Sequence, residues 1–277
     1  MAEKISSAQL LGLTSRWTAA VRARESARAD RLFEDPWAEA LTGKEGAEWI
    51  AQRPEDSTIP MVIRTRFFDD FLLDIARRHA IHQVVLMAAG LDTRSFRLDW
   101  PAGTCLFELD QPEVLQYKQE VLRLAGAQPA CQRQLIEADL TSPWQEKLTH
   151  SGFDPQLPSV WLLEGFLFYL SKESIIQIID SVTSLAASGS WMGFDIINSA
   201  MFTSTWTRPW VEMQASMGAP WMGTLDDPQG FLARRGWQAT LTQAGAEDAN
   251  YGRWQLPVLP VMAPDMPHNW FVTAQKR

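Results

Sequence analysis

Cysteine is nearly absent: the 277 residues include two, Cys105 and Cys131. Two cannot make a disulfide framework, and Cys105 falls in a stretch that reads as a buried strand, so a reduced, cytoplasmic setting is expected. The four histidines, His79, His82, His150 and His268, show no ligand spacing with the cysteines. That argues against a structural zinc site, and no metal is expected. No apolar run is long enough to cross a bilayer. The N-terminal MAEKISSAQLLGLTSRW lacks the apolar core and cleavage pattern of a signal peptide. Basic residues are in deficit, 25 against 33 acidic ones, giving a net charge of −8. This leaves no global basic surface for nucleic acid and fits a soluble protein that reads a small molecule locally. The phosphate-binding loops GxxxxGKS/T and GxGxxG are missing as well.

What the chain does have is concentrated between Gln83 and Val114, QVVLMAAGLDTRSFRLDWPAGTCLFELDQPEV. The apolar run Val84 to Ala89 is too short for an independent helix and suits a fully buried strand. It stops at Gly90, where a missing side chain lets the backbone approach a ligand closely. A second run, Thr104 to Leu109, closes on Glu108-x-Asp110. Strand, glycine turn, connection and strand ending in an acid is the plan of the first half of a nucleotide-binding α/β sheet.

The surrounding pattern extends that plan. Residues 15–50 read as helices, with Asp35-Pro36 opening the second, and Pro60 opens another over about 61–79. Strands are expected at 83–89, 104–109, 134–138, 159–164, 191–197, 238–241 and 269–274. Helices are expected at about 112–125 and 173–187, and this alternation implies an α/β, mostly parallel sheet. The division is a helical N-terminal cap over 1–80 and a Rossmann-like core over 81–277. An insertion over about 198–235, rich in tryptophan and methionine, interrupts the core as a lid, and cap and core form one structural unit. No repeats stand out.

Acids mark the ends of successive strands: Glu108/Asp110, Asp139 and Glu164. Such a crevice suits a polyphosphate poorly. It suits a ligand that combines a ribose, an adenine, an ammonium and a sulfonium, which is S-adenosyl-L-methionine.

The residues Arg64 to Leu72 (RTRFFDDFL), Val84 to Leu98 (VVLMAAGLDTRSFRL) and Phe107 to Val114 (FELDQPEV) resemble the leucine carboxyl methyltransferase-related family. Asp139-Leu140, Trp161 to Leu170 (WLLEGFLFYL) and Arg22 to Ala38 (RARESARADRLFEDPWA) add to the likeness. It is closest to the bacterial small-molecule branch, with its enzymes of polyketide and other natural-product pathways. The resemblance implies a class I methyltransferase sheet with an antiparallel final strand. It also implies that Arg64 holds the cofactor carboxylate and that Gly90 lies beside the methionyl part. Asp110 then takes the ribose hydroxyls, with Glu108 as the nearby alternative. Asp139 accepts from the adenine amino group, and the Leu140 N–H meets a ring nitrogen. Glu164 faces the methionyl ammonium, and Arg24 aligns with a basic residue that reaches the site from the cap.

The expected reaction is O-methylation of a small molecule, with a carboxylate as the first choice of acceptor. A carboxylate of pKa about 4 is already ionised at neutral pH and needs no general base. If a base is used, Tyr169 and His268 are the candidates. Trp206, Arg208 and Trp210 are candidates for acceptor binding. Methylation of a hydroxyl or of a protein C-terminus, and cofactor binding without transfer, stay open, as does the oligomeric state.

Overall fold

The inner strands form where apolar residues run unbroken, because both their faces are covered. The computed structural model describes residues 7–263 and 265–277, without the side chains of residues 7–11 and 13. The first six residues of the N-terminal stretch read above, and Pro264, lie outside that description. Three helices, α1 (Ser7–Ser26), α2 (Ala38–Ala51) and α3 (Ile59–Arg78), precede the sheet. Then come β1 (Gln83–Met87), α4 (Arg94–Arg97), β2 (Cys105–Asp110), α5 (Pro112–Leu124), β3 (Gln132–Glu137) and α6 (Gln145–His150). The second half runs β4 (Ser159–Leu163), α7 (Lys172–Leu185) and β5 (Trp191–Ile197). It ends with α8 (Ala200–Thr203), α9 (Arg208–Ser216), α10 (Pro228–Ala233), β6 (Trp237–Gln243) and β7 (Asn269–Lys276).

The seven strands form one sheet in the order β3-β2-β1-β4-β5-β7-β6. The first five are parallel, and β7 runs antiparallel between β5 and β6. This is the expected mostly parallel sheet with its reversed last strand. Alternation then assigns each residue a face. Val85 of β1, Phe107, Trp161 and Phe194 meet Ile175, Ile179 and Val182 of α7 on one side. Val84, Leu86, Val160 and Leu162 meet Ile63, Phe68 and Leu72 of α3 on the other. Burying a side chain such as Phe68 completely is worth roughly 1.5–3 kcal/mol.

Most boundaries shift by one or two residues, and two of the shifts have plain physical reasons. β1 stops at Met87 because Ala88 and Gly90 both take positive φ, 51° and 46°, which turns the chain off the sheet. β3 begins earlier, at Gln132, because it is an edge strand with an exposed face, so its polar residues do not mark a loop.

Charge, not oil, fastens the segments along the carboxyl edge of β1. Asp69 of α3 accepts from Arg94 Nε at 2.6 Å and from Arg97 Nη1 and Nη2 at 2.6 and 2.7 Å. Asp92 accepts from the backbone and the guanidinium of Arg94. Arg22 of α1 donates to Asp35 at 2.8 Å and to the carbonyl of Leu91 at 2.6 Å. Thr93 adds its hydroxyl to Asp35 at 2.6 Å. These bonds draw α1 across the turn that follows β1.

A second buried cluster corrects one expectation. Glu108 is fully buried, and it cannot serve as the alternative ribose acceptor. Its two oxygens accept from Ser95 Oγ, Lys118 Nζ and the Arg133 guanidinium at 2.7–2.9 Å. Glu108 sits two residues inside the strand end, beneath α4 and α5, so its capacity is spent on structure.

Two stability measurements test this account. Glu108→Ala leaves Lys118 buried without its counter-charge and should cost about 3–5 kcal/mol in denaturant unfolding. For Asp92, burial opposes ionisation, but Arg94, Lys118, Arg97 and Arg22 override it and bring the carboxyl down to about 2. A lowered folded pKa stabilises fully above the ordinary 3.8 and loses that contribution as pH falls through 2. Urea titrations should therefore show an Asp92→Asn deficit of roughly 2 kcal/mol near neutrality that narrows on acidification. A deficit independent of pH would contradict the pairing.

Candidate active site

One cavity of about 1050 Å³ opens over the carboxyl ends of β1, β2 and β4. That is at the upper end of ordinary ligand pockets, about 300–1,000 Å³. Its floor includes Ala88, Gly90, Asp110, Glu164 and Gly165. Trp17, Thr18 and Arg22 of α1 form part of the roof. Met201, Trp206, Trp210, Met217 and Trp221 of the insertion line the far wall.

The turn after β1 and the tip of β2 are tied together. Asp110 accepts from the Gly90 N–H at 2.6 Å through Oδ2 and from the Gln111 N–H at 2.7 Å through Oδ1. Each oxygen keeps further acceptor capacity. Burial raises the Asp110 pKa, and the two backbone donors oppose that rise. Gly90 also permits the close roof: a Cβ there would lie 3.2 Å from Ser15 Cβ of α1.

Arg64 reaches the same floor from α3. Its Nε donates to Glu164 at 2.9 Å and its Nη1 to Asp195 at 2.8 Å. Glu164 also lies 2.7 Å from Arg94 Nη2, so its carboxylate sits between two guanidiniums. Gly165 makes space for this: a Cβ there would come within 3.2 Å of Arg64 Nη2. Burial raises the pKa of Asp195, and Arg64 and the Gly165 N–H counter it. Burial disfavours the Arg64 charge, but Asp195 and Glu164 outweigh it and raise its pKa.

The two candidate bases also line the cavity. Burial pushes the Tyr169 phenol up, away from easy ionisation. His268 is buried and stacked on Trp270. Its Nδ1 faces Gln243 Oε1 at 3.1 Å and its Nε2 faces the Ala263 carbonyl at 3.2 Å. Those contacts engage both ring nitrogens.

Of the residues singled out from sequence, Arg64, Gly90, Asp110, Glu164, Tyr169, His268, Trp206 and Trp210 meet around this one space. Four others lie off its lining. Asp139 is exposed past the end of β3 and accepts from the Thr141 N–H and hydroxyl through Oδ1, at 2.9 and 2.7 Å. Leu140 is buried in the core. Arg24 donates to the carbonyls of Ile50 and Arg53, at the end of α2. Arg208 is exposed beside Glu212, 3.6 Å away.

Arg22, Arg94, Asp195 and Arg53 also serve this region and were not singled out. Asp195 carried a signal, since an acid in the middle of a buried strand (WMGFDII) demands a cation. For Arg22 the signal was weaker, because a helix such as RWTAAVRARES offers several arginines of equal promise.

Comparison with known proteins agrees with this geometry. The family model described as leucine carboxyl methyltransferase matches residues 15–183. A protein from Mycolicibacterium gilvum is 37% identical over 227 residues, covering 76% of this chain and 75% of its own. One from Mycobacterium tuberculosis H37Rv is 33% identical over 290 residues, covering 94% of each. Both are provisionally named S-adenosyl-L-methionine-dependent methyltransferases. Among solved structures, a protein from Thermobifida fusca, provisionally named a methyltransferase, has a TM-score of 0.63 at 14% identity, covering 95% and 94%. Magnesium protoporphyrin IX methyltransferase from Synechocystis, with bound SAH, has a TM-score of 0.52 at 11% identity, covering 86% of this chain and 97% of its own. These likenesses establish the class I methyltransferase fold. With the family model covering more than half its length, the chain belongs to the leucine carboxyl methyltransferase family.

Proposed function

We propose that the chain transfers the methyl group of S-adenosyl-L-methionine to an oxygen of a small-molecule acceptor, and that this oxygen belongs to a carboxylate. The observation that carries the reading is the single cavity joining the Gly90–Asp110 edge to the tryptophan- and methionine-rich wall. The donor set fits the cofactor. Asp110 has acceptor capacity left for two ribose hydroxyls, and the bare Gly90 backbone admits a close ligand. Arg64, with Nη2 outside its two ion-pair hydrogen bonds, is suited to a carboxylate. Glu164 beside it suits an ammonium. Asp139 and Leu140 keep the adenine roles that the family resemblance implies, at the neighbouring strand end, with Arg24 behind the site.

The sulfonium supplies a methyl group that is already activated. The protein's work is then to align the acceptor oxygen and exclude water, and alignment of that kind can be worth ~7–11 kcal/mol. The α1 roof and the aromatic wall are suited to both tasks. The state of Tyr169 and His268 favours an acceptor that arrives ionised: one is pushed away from ionisation, and the other has both nitrogens engaged. A carboxylate meets that condition.

Calorimetric titration with S-adenosylhomocysteine tests the cofactor site. Asp110→Ala should weaken binding about 10- to 100-fold, the worth of charge-assisted hydrogen bonds. Because the Asp110 pKa is raised, affinity in the unaltered protein should begin to fall on acidification above pH 3.8. Equal affinity in the variant would overturn the assignment. Transfer of labelled methyl across matched carboxylic acids and alcohols tests the acceptor, and exclusive alcohol methylation would refute the carboxylate. Labelling of a protein's C-terminus, seen by intact mass, would point to a macromolecular acceptor instead. Tight cofactor binding with no labelled product would point to a binding protein.

A further inference from the structure

Five arginines line the cavity, and four of them face acids. Arg22 pairs with Asp35, Arg64 with Glu164 and Asp195, and Arg94 and Arg97 share Asp69. Arg53 has no acidic partner among the described residues. Its guanidinium lies 3.8 Å over the Trp49 ring, which in turn stacks on Trp17 at 5.2 Å. Nη1 donates to the Trp49 carbonyl at 3.2 Å, and Nη2 meets the Met217 sulfur at 3.2 Å. Burial without a neighbouring acid lowers its pKa, although a guanidinium remains charged at any physiological pH.

The surroundings favour an anion with an apolar body. Among the described residues the Trp49 indole N–H is buried without a hydrogen-bond partner, so a second donor sits beside the guanidinium. Met213, Met217, Trp210 and Pro54 line the same part of the cavity and offer thioether and ring surfaces. Arg24 donates to the backbone carbonyls of Arg53 and Ile50, which holds the end of α2 in place beneath the guanidinium. A charge kept half-buried on an aromatic platform, with its backbone clamped and no internal acid to neutralise it, is complementary to a ligand carboxylate.

We propose that Arg53, stacked on Trp49, is the specificity-determining counter-ion for a carboxylate carried by an otherwise apolar methyl acceptor. This inference rests on the proposed function, which it narrows to amphipathic acids. It also gives Arg24 a positioning role from behind the wall.

Calorimetry with two acid–amide pairs tests it: 2-naphthoate against 2-naphthamide, and octanoate against octanamide, each with and without S-adenosylhomocysteine. In the unaltered protein at least one acid should bind ten-fold or more tighter than its uncharged amide. Arg53→Met should bring that ratio close to one, while Arg53→Lys, which keeps the charge but not the planar fork, should retain part of it. Melting curves establish that both variants are folded. Acids and amides binding alike in the unaltered protein, no acid binding at all, or an acid preference that survives Arg53→Met would each overturn the assignment. Should Arg53→Met not fold, the unaltered protein and Arg53→Lys decide, and a lysine variant with full preference would remove the guanidinium's special role. S-adenosylhomocysteine failing to bind the unaltered chain would instead strike the proposed function, a separate outcome in the same titrations.

Discussion

Glu164 and Asp195 stand at and just inside the ends of neighbouring strands, Glu164 on the cavity floor and Asp195 buried behind it. Two carboxylates so placed repel each other and resist burial, and without a cation between them the floor could not form. Arg64 supplies it from α3, with one bond to each acid. Arg94 adds a second cation against Glu164. The arrangement joins a helix that precedes the sheet, the turn after β1 and the tips of β4 and β5. Residues separated by up to 131 positions in sequence thereby hold one shape.

This constraint explains why the cavity has two unlike halves. On the β1–β2 side the lining is polar and rigid, with backbone amides fixed by Asp110 and side chains fixed by ion pairs. On the insertion side it is aromatic and thioether surface, including Trp206 at 73% exposure, which packs loosely enough to fit different shapes. A lining fixed by hydrogen bonds suits one ligand shape, and an adaptable one suits several. Among the described residues lining the adaptable side, Arg53 is the arginine without an acidic partner.

Much of this was legible in the sequence because the inner strands of the sheet are buried on both faces. Continuous apolar runs such as VVLM and VWLL have one reading in an α/β chain, and acids that end them fall at one edge by geometry alone. Gly90, Asp110 and Glu164 were found in that way. What escaped depended on partners far along the chain. Glu108 and Asp110 are two residues apart with the same chemistry, and only the positions of Lys118 and Arg133 reveal that one is structural. Arg24 and Arg22 share a helix, and a rotation of the helix axis decides which of them reaches the cavity. Arg53 follows Trp49 at the i,i+4 spacing of a helix end, so the ring beneath it was legible, but nothing local announces Met217, 164 positions away, on its other side.

The outermost position of β3 has a bearing on how the molecule keeps to itself. An unpaired strand margin offers a row of amides and carbonyls to any extended peptide that drifts past. Here the margin is only six residues long, and Gln132, Gln134 and Glu137 place polar or charged groups along it. Arg133 is anchored inward on Glu108, so the margin is held in shape by the interior of its own sheet. A foreign strand would have to strip water from those polar groups for few hydrogen bonds in return, which protects the folded chain against edge-to-edge association.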